Sequence, residues 1–182
     1  MLEYIVLGVL MDQPLTGYDV KKVIERGVGV FYKASYGSLY PILNRQAEKG
    51  HLTVIEQAQG NRQKKLYEIT PQGREAFFTW LRSPISAKDS ADSHLAKVYF
   101  FDQLPPAEAE AQLLAYEENS RAYLAELQGL WAHFDRMEHK ECFYYKLSTL
   151  CYGIASLQQT MKWSAHIRMK KPLQTLIEEE TK

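Results

Sequence analysis

Little in this sequence is extreme, and what it lacks narrows the field. Its 182 residues include two cysteines, Cys142 and Cys151. They lie nine positions apart on one expected helix, roughly 13 Å along its axis, too far for a bond between them. Two reduced core thiols in an intracellular protein are expected, with a thiol switch as the alternative. Net charge is zero, so overall charge points to no partner. No apolar run reaches membrane-span length. Tyr4 to Met11 is the longest at the start, and no basic residue precedes it. It reads as neither a span nor a signal peptide, so a soluble, cytoplasmic chain is expected. No phosphate-binding glycine loop, HExxH or nucleophile elbow occurs, and no enzyme is expected. His133, His139 and His166 are scattered without a carboxylate or cysteine at ligand spacing, so neither metal nor another cofactor is expected. There is no internal repeat and no low-complexity segment.

What is present is ordinary globular composition, 46% hydrophobic and 24% charged. Its charge is uneven. Residues 1–83 carry 11 Lys+Arg against 8 Asp+Glu, and residues 84–182 carry 11 against 14. A mildly basic front half and a mildly acidic back half suit a contacting module joined to a non-contacting one.

The front half is punctuated clearly. Tyr4–Met11 is apolar all round, as in a helix buried on most sides, and Gly8 would admit a close backbone. Thr16 stands three residues before Asp19, a capping-box-like start to a second helix with Val20, Val23 and Ile24 on one face and Gly27 at its end. A third helix keeps Leu39, Ile42, Leu43 and Gln46/Ala47 at buried spacing. Pro41 is costly if Ser35 is the cap and cheap if Ser38 is, so a start at Ser38, or an irregular first turn from Ser35, is preferred. Alternating strands run from His51 to Gln57 and from Lys64 to Ile69, around a Gln59–Arg62 turn. Thr70-Pro71 opens a fourth helix carrying Phe77, Phe78 and Leu81 inward. Helix, hairpin with basic tip, helix is the second half of a winged-helix DNA-binding domain.

The back half reads as helical beyond a Ser83–Ser86 linker. A short helix covers roughly Ser90 to Phe101. Ala109, Leu113, Tyr116, Ser120, Tyr123, Leu127, Leu130, Phe134 and Met137 then alternate spacings of four and three. A second such stripe holds Phe143, Leu147, Leu150, Ile154, Leu157, Met161 and Ser164. Two long helices joined near Glu138–Glu141 must fold back antiparallel. The stripes close either onto each other or onto a second chain. The expected fold class is therefore mainly α with a small β-hairpin. Residues 1–83 form an N-terminal winged helix-turn-helix, and residues 84–182 a C-terminal long-helix dimerisation domain.

Several segments carry a resemblance: Tyr4–Leu10 with Leu15-Thr16-Gly17-Tyr18-Asp19; Gly37-Ser38-Leu39-Tyr40-Pro41-Ile42-Leu43; Glu48-Lys49-Gly50; and Lys65-Leu66-Tyr67-Glu68-Ile69-Thr70-Pro71-Gln72-Gly73-Arg74. On these residues the front half resembles the PadR family of bacterial transcriptional regulators. The back half, with Leu95–Phe100 and two long helices, is similar to the longer-tailed branch of that family. The resemblance implies a homodimer on pseudo-palindromic double-stranded operator DNA, paired through the C-terminal helices. Repression is implied as the usual mode, and release by a phenolic acid in some members.

Ser35, Tyr36, Ser38, Tyr40, Asn44 and Arg45 are the expected DNA contacts of the third helix, with packing an equal reading for Tyr40. Asn61, Arg62, Lys64 and Lys65 are expected to meet phosphates or the minor groove from the wing. Dimerisation falls to Leu113, Tyr116, Tyr123, Leu127, Leu130, Phe134, Leu147, Leu150, Ile154, Leu157 and Met161. Tyr32, Tyr36, His94, Tyr99, Trp131, Tyr145 and Trp163 are candidates for a pocket for a small aromatic ligand, although each singly suits core or interface. Tyr144 belongs to the same set. A winged-helix adaptor that binds protein partners is the alternative function.

Overall fold

The computed structural model describes residues 1–32, 36–59 and 62–178, so Ser35 and Asn61 lie outside the described residues, as do the side chains of Tyr36 and Arg62. Two compact units emerge: Met1–Ser83 with Ser90–Leu104, and Pro84–Asp89 with Pro105–Lys182. The division departs from a boundary after residue 83. Helix α5 (Ala91–Val98) and the turn after it belong with the front unit, where Ala96 and Phe100 are buried.

In the first unit, α1 (Leu2–Val9) is the central element, and Ile5, Val6 and Leu7 have no exposed surface. Gly8 is needed for rings rather than for a backbone. A Cβ there would stand 2.7 Å from carbons of both Phe77 and Phe100. Helix α2 (Gly17–Arg26) starts at the Thr16 cap, whose hydroxyl oxygen accepts from the Asp19 N–H at 3.1 Å. Val20 and Ile24 are buried one turn apart, while Val23 is 40% exposed, off the face expected for it. At its end a Cβ on Gly27 would collide with the Tyr99 hydroxyl.

Helix α3 (Leu39–Glu48) begins at the Ser38 cap after a 3-10 turn, Tyr36–Ser38, so Pro41 occupies its first turn, where no intrahelical donor is lost. Leu39, Leu43 and Gln46 face inward. Strands β2 (Leu52–Gln59) and β3 (Arg62–Ile69) pair antiparallel from Leu52↔Ile69 to Gln59↔Arg62. A third strand, β1 (Leu15–Thr16), adds to β3 at Leu15↔Tyr67 and Thr16↔Leu66. Two residues carry no alternation, so this strand leaves no signal in the sequence. Helix α4 (Pro71–Arg82) is capped by Thr70, which accepts from the Gly73 N–H at 3.0 Å. Phe77 and Leu81 are fully buried. Phe78 is half-buried instead, with the Arg82 guanidinium 5.1 Å from its ring centroid.

The second unit is a hairpin of α6 (Pro106–Asp135) and α7 (Tyr144–Arg168), followed by α8 (Gln174–Glu178). At 1.5 Å per residue α6 is about 45 Å long. His139 takes a left-handed conformation at the bend, before a 3-10 turn from Lys140 to Phe143. Near the open end of the hairpin, buried Glu117 receives two hydrogen bonds from Arg168, at 2.8 and 3.1 Å, which tie α6 to α7. Cys142 and Cys151 are free and exposed, not core thiols.

Candidate nucleic-acid interface

Helix α3 presents its polar face because its apolar face is fully spent on the core. Tyr40, Asn44 and Arg45 are exposed, and Ser38 is half-buried. Among the described residues, no side-chain hydrogen bond or ion pair engages Asn44 or Arg45, so their amide and guanidinium are available to an incoming partner. The helix is held from behind. Gln46, 1% exposed, donates to Glu3 at 2.9 Å and pairs through its carbonyl with His51 Nδ1 at 2.6 Å. That bridge joins α1, α3 and the start of β2, so the exposed face sits on a fixed base.

Beside α3 lies a groove of about 540 Å³. Tyr40 and Asn44 line it from α3, Lys64 and Lys65 from β3, and Thr16, Tyr18 and Asp19 from the start of α2. It unites four residues expected to act together: Tyr40, Asn44, Lys64 and Lys65. Lys65 has a distant partner in Glu56, at 3.9 Å across the hairpin. Tyr40 serves both readings. Its ring packs on Gly17, where a Cβ would stand 2.7 Å from a ring carbon, yet the side chain is 55% exposed. Burial, and secondarily the neighbouring Tyr40, raises the Tyr67 hydroxyl above its ordinary pKa.

Tyr18 was not expected here. Its signal was weak, because a tyrosine on the helix before α3 looks like any solvated face.

The aromatic candidates divide between the units. Tyr32, His94 and Tyr99 belong to the first, where His94 is buried and Tyr99 packs against Phe31 and Phe100. Burial, then the nearby Asp92 carboxylate, pushes the Tyr32 hydroxyl up. Trp131, Tyr145 and Trp163 belong to the second. Trp131 lines a cavity of about 410 Å³ with Tyr144, Leu147, Cys151, Asp135 and Lys140. Tyr145 is not in that lining and is 83% exposed, so of the tyrosine pair it is Tyr144 that meets Trp131 in one cavity.

The heptad stripes divide too. Leu113, Tyr116 and Leu157 are buried within the hairpin. Tyr123, Leu127, Phe134, Leu147, Leu150, Ile154 and Met161 are half-buried, and Leu130 is 44% exposed. Among the described residues, no group of His, Cys, Asp and Glu could hold a metal ion, and no helix is long and apolar enough to cross a membrane.

Comparison with known proteins gives a consistent set of likenesses. Residues 6–78 match the transcriptional regulator PadR-like family, and residues 92–169 match the virulence activator alpha C-terminal family. The chain is 30% identical over 132 residues to the negative transcriptional regulator PadR of Bacillus subtilis (strain 168), covering 71% of this chain and 72% of that protein. It is also similar to a crystal structure of Bacillus subtilis PadR in complex with operator DNA, 25% identical, covering 93% of this chain and 98% of that one, with a TM-score of 0.45. A structure of the same regulator in complex with p-coumaric acid is 25% identical over 93% of this chain and 97% of that one, with a TM-score of 0.42.

Proposed function

The chain belongs to the PadR-like family of transcriptional regulators, and on that premise we propose that it is a homodimeric, cytoplasmic repressor that binds a pseudo-palindromic operator through α3 and the β2–β3 wing. The family's members regulate transcription and are not enzymes. One observation carries the duplex reading. The uncommitted Asn44 and Arg45 side chains lie on the helix that shares a groove with Lys64 and Lys65. Amide and guanidinium are the groups that read adenine and guanine edges bidentately, and lysines beside them neutralise phosphates. Repression needs no further surface, since occupancy of an operator blocks a promoter.

The homodimer follows from apolar surface that one hairpin leaves open. Tyr145 and Tyr152, seven residues apart on α7, are 83% and 75% exposed, and Leu130, Met137 and Phe143 add to the same end of the unit. A second copy covering them places two α3 helices on two half-sites. The Trp131–Tyr144 cavity supports a small aromatic effector, because its volume and mixed lining fall in the range of ligand sites.

The duplex reading is tested by enriching fragments of the source genome on the purified protein. The recovered site is then titrated between about 50 and 200 mM salt, where affinity should fall steeply as counterions are released. Retention of protein partners with no salt-sensitive duplex binding would support the adaptor reading. For the effector, hydroxycinnamates and aromatic cations are titrated while tryptophan fluorescence and operator release are followed. Quenching without release marks an adventitious pocket, and no response to any compound marks a regulator governed by its own abundance.

A further inference from the structure

The cavity at the bend end of the α6–α7 hairpin has a lining of definite charge. Trp131 and Asp135 reach it from the end of α6, Lys140 and Glu141 from the 3-10 turn, and Tyr144, Leu147 and Cys151 from one face of α7. All of them belong to the second unit. The ammonium in this lining is already engaged. Lys140 Nζ donates to the Asp135 carboxylate at 2.6 Å and to the Asp135 carbonyl at 3.1 Å. That hydrogen bond, and then the Asp135 charge, hold the Lys140 ammonium above its usual pKa. The Glu141 carboxylate contributes least to that shift, and among the described residues its side chain makes no hydrogen bond or ion pair. Lys146 does not line the cavity, and its ammonium lies 5.6 Å from the Phe143 ring centroid instead. Two carboxylates against one ammonium leave the lining one negative charge in excess.

We propose that this cavity selects a flat aromatic cation, seated against Trp131 and Tyr144 with its charge toward the Glu141 carboxylate. The proposal rests on the effector reading of the same cavity given above, and it assigns that ligand a chemical class. A volume of about 410 Å³ accommodates one small fused-ring molecule. Indole and phenol rings carry negative potential on their faces, so they attract a cation more than a neutral ring of the same shape. Leu147 and Cys151 supply apolar wall for the body of the ligand. A ligand that carries a carboxylate meets the opposite field. Its anion would stand beside Glu141, while the Lys140 ammonium is committed to Asp135. The Ser148 hydroxyl, which also lines the cavity, is committed too, since it donates to the Tyr145 carbonyl at 2.7 Å. Like charge set against like charge is what rejects the wrong ligand.

The test uses the full-length protein and three probes of similar shape: N-methylquinolinium, neutral quinoline and quinoline-2-carboxylate. Binding is measured by calorimetry without DNA. Occupancy is read from the rate at which iodoacetamide alkylates Cys151, with Cys142 as the internal reference, because it is exposed but outside the lining. N-methylquinolinium should bind on the order of tenfold tighter than quinoline, with quinoline-2-carboxylate weakest. The cation should slow alkylation of Cys151 and leave that of Cys142 unchanged. Glu141→Gln should weaken the cation several-fold and leave quinoline as it was. Tyr144→Phe keeps the ring and should keep the cation, whereas Trp131→Leu should lose much of it. The Glu141 side chain is exposed, so its variant should keep the helical content and thermal unfolding of the wild type. Quinoline-2-carboxylate binding as tightly as the cation would overturn the charge assignment. A cation that binds wild type and Glu141→Gln equally, or leaves Cys151 alkylation untouched, would place its site elsewhere and overturn the proposal too. Silence from all three probes and from the hydroxycinnamates would sink the effector reading of the cavity itself. Selective binding of the cation with no release of operator would also sink that reading, while the selectivity of the cavity stood.

Discussion

Thr70 shows how much one side chain can set. Its oxygen accepts from the Gly73 N–H, while its hydroxyl donates to the Gly50 carbonyl at 2.7 Å, joining the end of the wing to the turn after α3. Thr70→Ala should cost about 1 kcal/mol of stability, read as a lower urea midpoint with an unchanged slope. Phe77, with no exposed surface and ring contacts to Phe78, Trp80 and Phe100, is the larger case. Phe77→Ala should cost about 3–5 kcal/mol, a large part of the stability of an ordinary domain. On the opposite face, Asn44→Ala and Arg45→Ala should each leave stability unchanged. Each should reduce discrimination between the genomic site and random duplex by about 1–3 kcal/mol if its side chain reads a base. Equal loss on both duplexes would make that residue a phosphate contact. Caps and buried rings were legible in the sequence because each depends on neighbours within one turn. The Gly8 requirement was not, since the rings it admits come from α4 and from the end of α5.

At the scale of elements, α3 and the wing behave as one surface because the Gln46 bridge and the β-ladder both fix them to α1 and β1. Arg62→Ala, Lys64→Ala and Lys65→Ala combined should therefore weaken binding to every duplex and flatten the salt dependence, with no change in the preferred sequence. Unchanged affinity in that triple variant would remove the wing from the interface. The hairpin was readable from alternation and a turn signal. The two-residue β1 was not, because its strand character exists only through pairing with β3. In the second unit, four-and-three spacing foretold both long helices. The same spacing could not say which turns one hairpin buries and which it leaves exposed.

For the whole molecule, that difference decides assembly. The half-sites of an operator are read together only if two chains pair, and the surface proposed for that pairing includes the exposed Tyr145 and Tyr152. Tyr145→Asp with Tyr152→Asp should give a monomer by sedimentation at micromolar concentration, with helical content retained and operator affinity sharply reduced. A wild type that is already monomeric there would overturn the dimer reading. Patterning along the chain was enough to indicate the long helices, the Thr16 and Thr70 caps, the hairpin and the resemblance to the family, because each is written in residues a few positions apart. Three-dimensional packing settled the rest. It moved residues 90–104 into the front unit, brought Tyr18 beside Tyr40 and Lys64, separated the aromatic candidates between two units, and exposed both cysteines. Those outcomes depend on contacts between residues far apart in the chain, and periodicity carries no information about which distant faces will meet.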